Sequence, residues 1–242
     1  MKLATLFLTA CILFGALFLT GLGLWQMKRL AWKETLIARV ETNMKNEPLS
    51  VSQVEQMIDR EEDIEYRPAT ATGHFLHDGE AHYFATHNSK PGYFVYTPLV
   101  QADGTVIMVN RGYVPMDGKD RATRKAGEID GQVTIVGLAR SAPTEKPNTF
   151  VPNNDLAKNV FYWKSITQML GMGIDKMKTN SNRFFLDAND APVAGGSPVG
   201  GVTLLRFTNS HLQYALTWFG LAGALVVVGG IFLRSRIRDA KL

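Results

Sequence analysis

Two stretches free of Asp, Glu, Lys, Arg and His lie at opposite ends of this 242-residue chain, Leu3–Met27 and Leu212–Leu233. At about 1.5 Å of rise per residue they reach roughly 37 and 33 Å as helices, enough for the ~30 Å hydrocarbon core of a bilayer. Lipid offers the backbone no hydrogen-bonding partner, so a crossing segment of this length has to be helical. The expectation is a membrane protein. Residues 1–27 and 211–233 would be its spans, 28–210 one large domain on the water side, and 234–242 a basic cytoplasmic tail.

Localising the charge sharpens this. The chain carries a net +4, yet Lys and Arg equal Asp and Glu between Lys28 and Ser210. The excess sits in Lys2 and in Arg234, Arg236, Arg238 and Lys241. A neutral domain without a basic stripe argues against nucleic-acid binding. By the positive-inside rule the dense C-terminal charges place both termini in the cytoplasm and the domain outside, although Lys28, Arg29 and Lys33 pull the other way. The first stretch is longer than a signal-peptide core and ends in Trp25-Gln26-Met27-Lys28 rather than a small-residue cleavage site, so a retained anchor is expected. No Arg- and Ser-rich transit peptide precedes it, which points to a bacterial inner (plasma) membrane with the domain in the periplasm. The single cysteine, Cys11, lies in the first span. Disulfides, thiol catalysis and Cys-based metal sites are thereby excluded from the domain.

Within the domain, Ala31–Asn43 continues the first helix, with Leu36, Ile37 and Val40 at helical spacing, and Pro48 ends it. Ser50-Val51-Ser52-Gln53 opens a short amphipathic segment through Asp59. The acidic run Glu61, Glu62, Asp63 and Glu65 then reads as a solvated connector. From Tyr66 the pattern turns strand-like: 69–76, 81–86, 93–100, 105–110, 133–140, 183–186 and 202–207 are short and often β-branched or aromatic. Asp78-Gly79, Asp103-Gly104 and Asp130-Gly131 supply turns, and the clearest hairpin joins 93–100 to 105–112. One helix is expected over 161–170, and 188–201, rich in Gly, Pro and Ala, reads as a mobile loop. The predicted fold is two transmembrane helices flanking a mostly antiparallel β, overall α+β, extracytoplasmic domain, barrel- or sandwich-like.

Four of the five histidines cluster as His74, His77, His82 and His87. Each neighbouring pair, His74 with His77 and His82 with His87, is an odd number of positions apart. On a regular strand such residues face opposite sides, so a copper or zinc site is not supported. No Gly-x-Ser-x-Gly elbow, His-Glu-x-x-His or phosphate-binding loop is present, and nothing points to an enzyme. His211 differs: it stands at the mouth of the second stretch, with Tyr214, Ala215 and Trp218 on the helical face beneath it. Small residues follow in both spans: Gly15, Ala16, Gly21 and Gly23, and Gly220, Ala222, Gly223 and Ala224. Trp25, Lys28, Arg29 and Trp32 mark the exit of the first. Two readings fit. One is a haem-type site with His211 as axial ligand, an apolar slot, and Lys28 or Arg29 neutralising propionates. The other is an interfacial belt of aromatic residues, which needs no ligand.

Three separated segments, "GLWQMKRLAWKETLI" (23–37), "GYFVYTPLVQADGTVIMVNRGYVP" (92–115) and "HLQYALTWFGLAG" (211–223), together resemble the surfeit locus protein family. The resemblance extends over essentially the whole chain, including the two-span layout. It departs at Tyr113, where the family usually has Trp, and at Asn209-Ser210, where it tends to have Asn-Asn. The resemblance implies a non-enzymatic assembly factor of haem-copper cytochrome c oxidase. Such a protein would bind haem a transiently at the outer membrane edge and aid its insertion into oxidase subunit I. Haem a synthase is a further candidate partner. His211 would be the iron ligand, with Tyr214, Trp218, Trp25 and Arg29 around the cofactor. The bland alternative is a cofactor-free scaffold for subunit I. For Asn110-Arg111-Gly112 the expectation is structural: Gly112 at an unusual backbone angle, and Arg111 anchoring a buried or partner carboxylate.

Overall fold

The computed structural model describes residues 2–172, 183–203 and 209–239. The chain divides into two units, Met1–Arg39 with Leu205–Leu242, and Val40–Leu204.

The first unit is a pair of helices. Helix α1 runs unbroken over Lys2–Met44, since no proline occurs before Pro48. Helix α4 covers His211–Asp239. Both are long and apolar enough to cross a membrane. Over 3–27 and 212–233 they carry no charged side chain on any face, and Phe7, Phe14, Leu17, Phe18, Val228 and Ile231 are left exposed. The two helices lie antiparallel. Phe219 packs over Gly23, Leu225 over Gly15, and Ile12 over Gly229. At each of these glycines a Cβ would collide with the facing side chain, the small-residue packing that lets helix backbones approach. Gly21, Gly220 and Gly223 face open space instead.

The second unit is a mixed sheet with short helices. Strand β1 (Leu49–Ser50) leads into α2 (Val51–Asp59). The Ser50 hydroxyl accepts from Gln53 N–H at 3.2 Å, and the Gln53 side chain accepts from Ser50 N–H at 2.8 Å. This capping box satisfies two otherwise orphaned amides and fixes where the helix begins. Strands β2 (Pro68–Phe75), β3 (Ala81–His87), β4 (Lys90–Gln101), β5 (Val106–Pro115), β6 (Gln132–Ser141) and β7 (Phe184–Ala188) follow, with α3 (Ile166–Leu170) ahead of β7. Their order is β1-β2-β6-β7-β5-β4-β3, and β2 also pairs with β4. Strands β2, β6, β7, β5 and β4 therefore form a closed cycle of pairings. Two contacts are parallel, β1–β2 and β5–β7; the others are antiparallel.

Strand β5 lies within that cycle and is buried on both faces, which explains its unbroken apolar run Val106–Val109. Ile107 and Val109 join a core with Val54 of α2, Phe75, Leu99 and Leu186. Val106 and Met108 join the opposite one with Tyr96, Phe161, Met169 and Phe185.

Four local expectations need correction. The helix expected over 161–170 shrinks to α3. Phe161 is captured by β3, accepting from Phe84 N–H and donating to His82 O, both at 2.8 Å, and Ser165 caps the helix instead. Val202 and Thr203 are not in a strand, and the rest of the segment expected over 202–207, apart from those two, lies outside the described residues. The loop after β7 is tied down rather than loose: Val199 and Tyr113 exchange two backbone hydrogen bonds at 2.9 Å. Glu65 is not merely a solvated connector, since its carboxylate accepts from Arg140 Nε and Ser141 N–H, each at 2.8 Å.

Candidate functional site

His211 is the first residue of α4, where the Asn209 side-chain oxygen accepts from its backbone N–H at 3.4 Å. Its imidazole meets α1. His211 Nδ1 lies 2.7 Å from Gln26 Oε1, and Gln26 is only 9% exposed. An amide oxygen can only accept, so this contact keeps the ring proton on Nδ1. Nε2 then carries the lone pair, and it makes no hydrogen bond among the described residues. A nitrogen donor oriented through its other ring nitrogen is the usual arrangement of a metal-ligating histidine. The donor set therefore fits a haem iron.

Gln26 appears in the sequence reading only within the exit Trp25-Gln26-Met27-Lys28, with no site role given to it. It is the one side-chain amide in Leu3–Met27, which is the signal that marks it. An amide inside an apolar helix is costly unless it is bonded.

The other candidates divide into two groups. On α4, Ala215 is fully buried, Trp218 is half-buried and Tyr214 is exposed. On α1, the Arg29 guanidinium lies over the rings of Trp25 and Trp32, 5.6 and 5.7 Å from their centroids. With 3.6 residues per turn, Trp25, Arg29 and Trp32 fall within roughly a 60° arc to one side of Gln26. All three are exposed. An exposed cation–π contact contributes about 0.5–1 kcal/mol, little enough for an anion to draw Arg29 away. Gly23 is filled by Phe219, whereas Gly21, Gly220 and Gly223 have open space beside them.

The four remaining histidines go to separate places. His74 is exposed on β2. His77 Nε2 bonds Ile129 O at 3.2 Å, and His87 packs on Tyr113. His82 is buried and bonds Glu80 at 2.9 Å, and Glu80 also accepts from Arg124. Burial alone would raise the Glu80 carboxyl, but the hydrogen bonds from His82 and Arg124 outweigh it and hold the group below its ordinary value. No three His, Cys, Asp or Glu side chains converge as a metal site among the described residues.

The Asn110-Arg111-Gly112 segment is a β-bulge. Val95 faces Gly112 and Tyr96 faces Asn110, leaving Arg111 as the extra residue. Gly112 has φ +125°, as its expected role requires, and a Cβ there would strike the Val199 carbonyl. Asn110 bridges the turn: its amide donates to Asp187 at 2.9 Å and its oxygen accepts from Gly112 N–H at 3.1 Å. The expected carboxylate for Arg111 is missing among the described residues. Its partners are the Gly127 carbonyl, His77 Nδ1 and the Phe75 ring.

The chain matches the SURF1 family over residues 13–223, a stretch that includes both Gln26 and His211. It is 33% identical over 220 residues to Surfeit locus protein 1 of Mus musculus, covering 84% of this chain and 68% of that protein. The Homo sapiens protein of the same name is 32% identical over 221 residues, covering 84% and 70%. The SURF1-like protein of Monosiga brevicollis is 34% identical over 233 residues, covering 89% and 83%.

Proposed function

This chain belongs to the SURF1 family, and we propose that it is a membrane-bound assembly factor for a haem-copper oxidase that carries haem a as cargo towards subunit I. The observation that supports this most directly is the His211–Gln26 contact, which prepares one imidazole nitrogen as a donor at the end of a spanning helix. Bound haem supplies an iron with a coordination position for that nitrogen. Everything else falls to the protein. Gln26 orients the ring and fixes its tautomer. Tyr214, Trp218 and Trp25 offer aromatic surface to the macrocycle, and Arg29 can leave its indoles for a propionate. A single protein ligand keeps release possible, which delivery demands. In this reading α1 and α4 cross a bacterial inner membrane, the sheet domain lies in the periplasm, and haem a synthase is the partner that loads the carrier.

The competing reading is a scaffold that holds subunit I without cofactor, and the exposed apolar surface of the helices would serve either role. Colour separates the two. Protein purified in mild detergent from cells that make haem a should show a Soret band and a haem a signature in the pyridine haemochrome assay, and His211→Ala should lose most of both. Colourless wild-type protein leaves only the scaffold. Unchanged haem content in His211→Ala removes His211 from the ligand role.

A further inference from the structure

Arg111 is a buried cation that makes no ion pair among the described residues. It is 4% exposed, and its guanidinium lies 4.9 Å from the centroid of the Phe75 ring. Nη2 donates to Gly127 O, and Nη1 lies 3.5 Å from His77 Nδ1. Both acceptors are neutral. His77 gives its own proton through Nε2 to Ile129 O at 3.2 Å, leaving Nδ1 as the acceptor. Other arginines of the domain are treated differently. Arg124, equally buried, is paired with Glu80; Arg140 reaches Glu65 and Asp187; Arg121 reaches Asp78 and Glu128.

A buried cation without a direct ion pair is costly, and burial lowers the Arg111 pKa from its ordinary value; Glu80 and Glu128 oppose that from beyond ion-pair distance, and Arg124 adds to it. The bulge places this residue on the wall of a cavity of about 480 Å³ whose other walls include Phe75, Ile129, Val133, Ile135 and Val193. A cavity of this size, mostly apolar with one converging charged group, has the composition of a small-molecule site.

We propose that this cavity binds a small monocarboxylic acid with an apolar body, its carboxylate on Arg111 and its hydrocarbon against Ile129, Val133 and Val193. The planar guanidinium suits a carboxylate, and binding supplies a direct ion pair in place of the neutral acceptors. The site lies wholly within the sheet domain and is independent of haem.

The test uses full-length protein in detergent, with 4-phenylbutyrate as the probe and its neutral amide, 4-phenylbutanamide, as the control. Saturation-transfer NMR titrations should show the acid binding at least about tenfold more tightly than the amide, the scale of a hydrogen-bonded charge pair. Arg111→Gln should bring the acid down to the level of the amide. Val193→Trp, which fills the cavity and leaves Arg111 in place, should weaken both and decides the matter if Arg111→Gln fails to fold. The proposal is overturned by failure of the acid to bind at millimolar concentration or by equal binding of acid and amide. Acid preference persisting in folded Arg111→Gln, or undiminished binding in Val193→Trp, overturns it as well.

Discussion

Gln26→Leu isolates the contribution of one hydrogen bond to the carrier. Leucine nearly matches the volume of glutamine and suits an apolar helix, so the packing of α1 on α4 should survive. What disappears is the acceptor 2.7 Å from His211 Nδ1. Leaving a half-buried N–H without its partner costs about 1–3 kcal/mol. It also frees the imidazole to rotate and to exchange tautomers. Removing the orienting partner of a metal-ligating histidine typically lowers affinity about 10–100-fold, equivalent to roughly 1.4–2.7 kcal/mol, so the two estimates agree. The assay is haem titration into detergent-solubilised protein followed at the Soret band, with release measured by transfer to an acceptor apoprotein. Gln26→Leu should bind about 10–100-fold more weakly, mainly through faster release. Gln26→Glu keeps an acceptor and should retain affinity. If Gln26→Leu binds as tightly as wild type while His211→Ala does not bind, the orienting role of Gln26 is wrong even though the ligand assignment stands.

Other outcomes follow from the sheet domain. Gly112→Ala forces a side chain into a φ of +125° and against the Val199 carbonyl, breaking the two Tyr113–Val199 hydrogen bonds; denaturant titration should show a loss of about 2–6 kcal/mol. The Glu80 carboxyl is depressed in the folded state, so its contribution is present above its unfolded pKa near 4.5 and is lost as pH falls below it. Glu80→Gln should therefore be less stable than wild type at neutral pH. That gap should narrow as thermal melts are taken below about pH 4.5, and a gap unchanged across this range would contradict the assignment.

What could be read from the sequence was what depends on neighbours in the chain. The apolar stretches, the Ser50/Gln53 capping box and the hairpin through Asp103-Gly104 each carry their cause within a few residues. For Gly112 the unusual backbone angle was legible, since glycine after Asn-Arg at the end of an apolar run is the residue that tolerates one, whereas the bulge around Arg111 was not. The failures all depend on distant partners. Phe161 has helix-compatible neighbours, but β3 claims its backbone. Glu65 sits in an acidic run that looks solvated, yet Arg140 lies 75 residues away in sequence and beside it in space. The same holds for the candidate site. His211 stood out as a histidine at the end of an apolar run. Its partner Gln26 is 185 positions away, and no periodicity links the two. Arg111 was expected to find an anion within or beyond the fold, and within it neutral groups from distant parts of the chain take that place.

Strand β7 lies between β5 and β6, which precede it in the chain and do not pair with each other. As the polypeptide leaves the ribosome, β6 can reach β5 only the long way round, through β2 and β4, and the cycle of pairings stays open until residues Phe184–Ala188 arrive to close it. Until then β5 and β6 each expose a ladder of unpaired amides and carbonyls, the kind of surface that recruits foreign strands. Premature termination just upstream of Phe184 should therefore yield an aggregating fragment rather than a smaller working protein. Nascent chains of this kind depend on prompt completion, or on a chaperone that shields the gap.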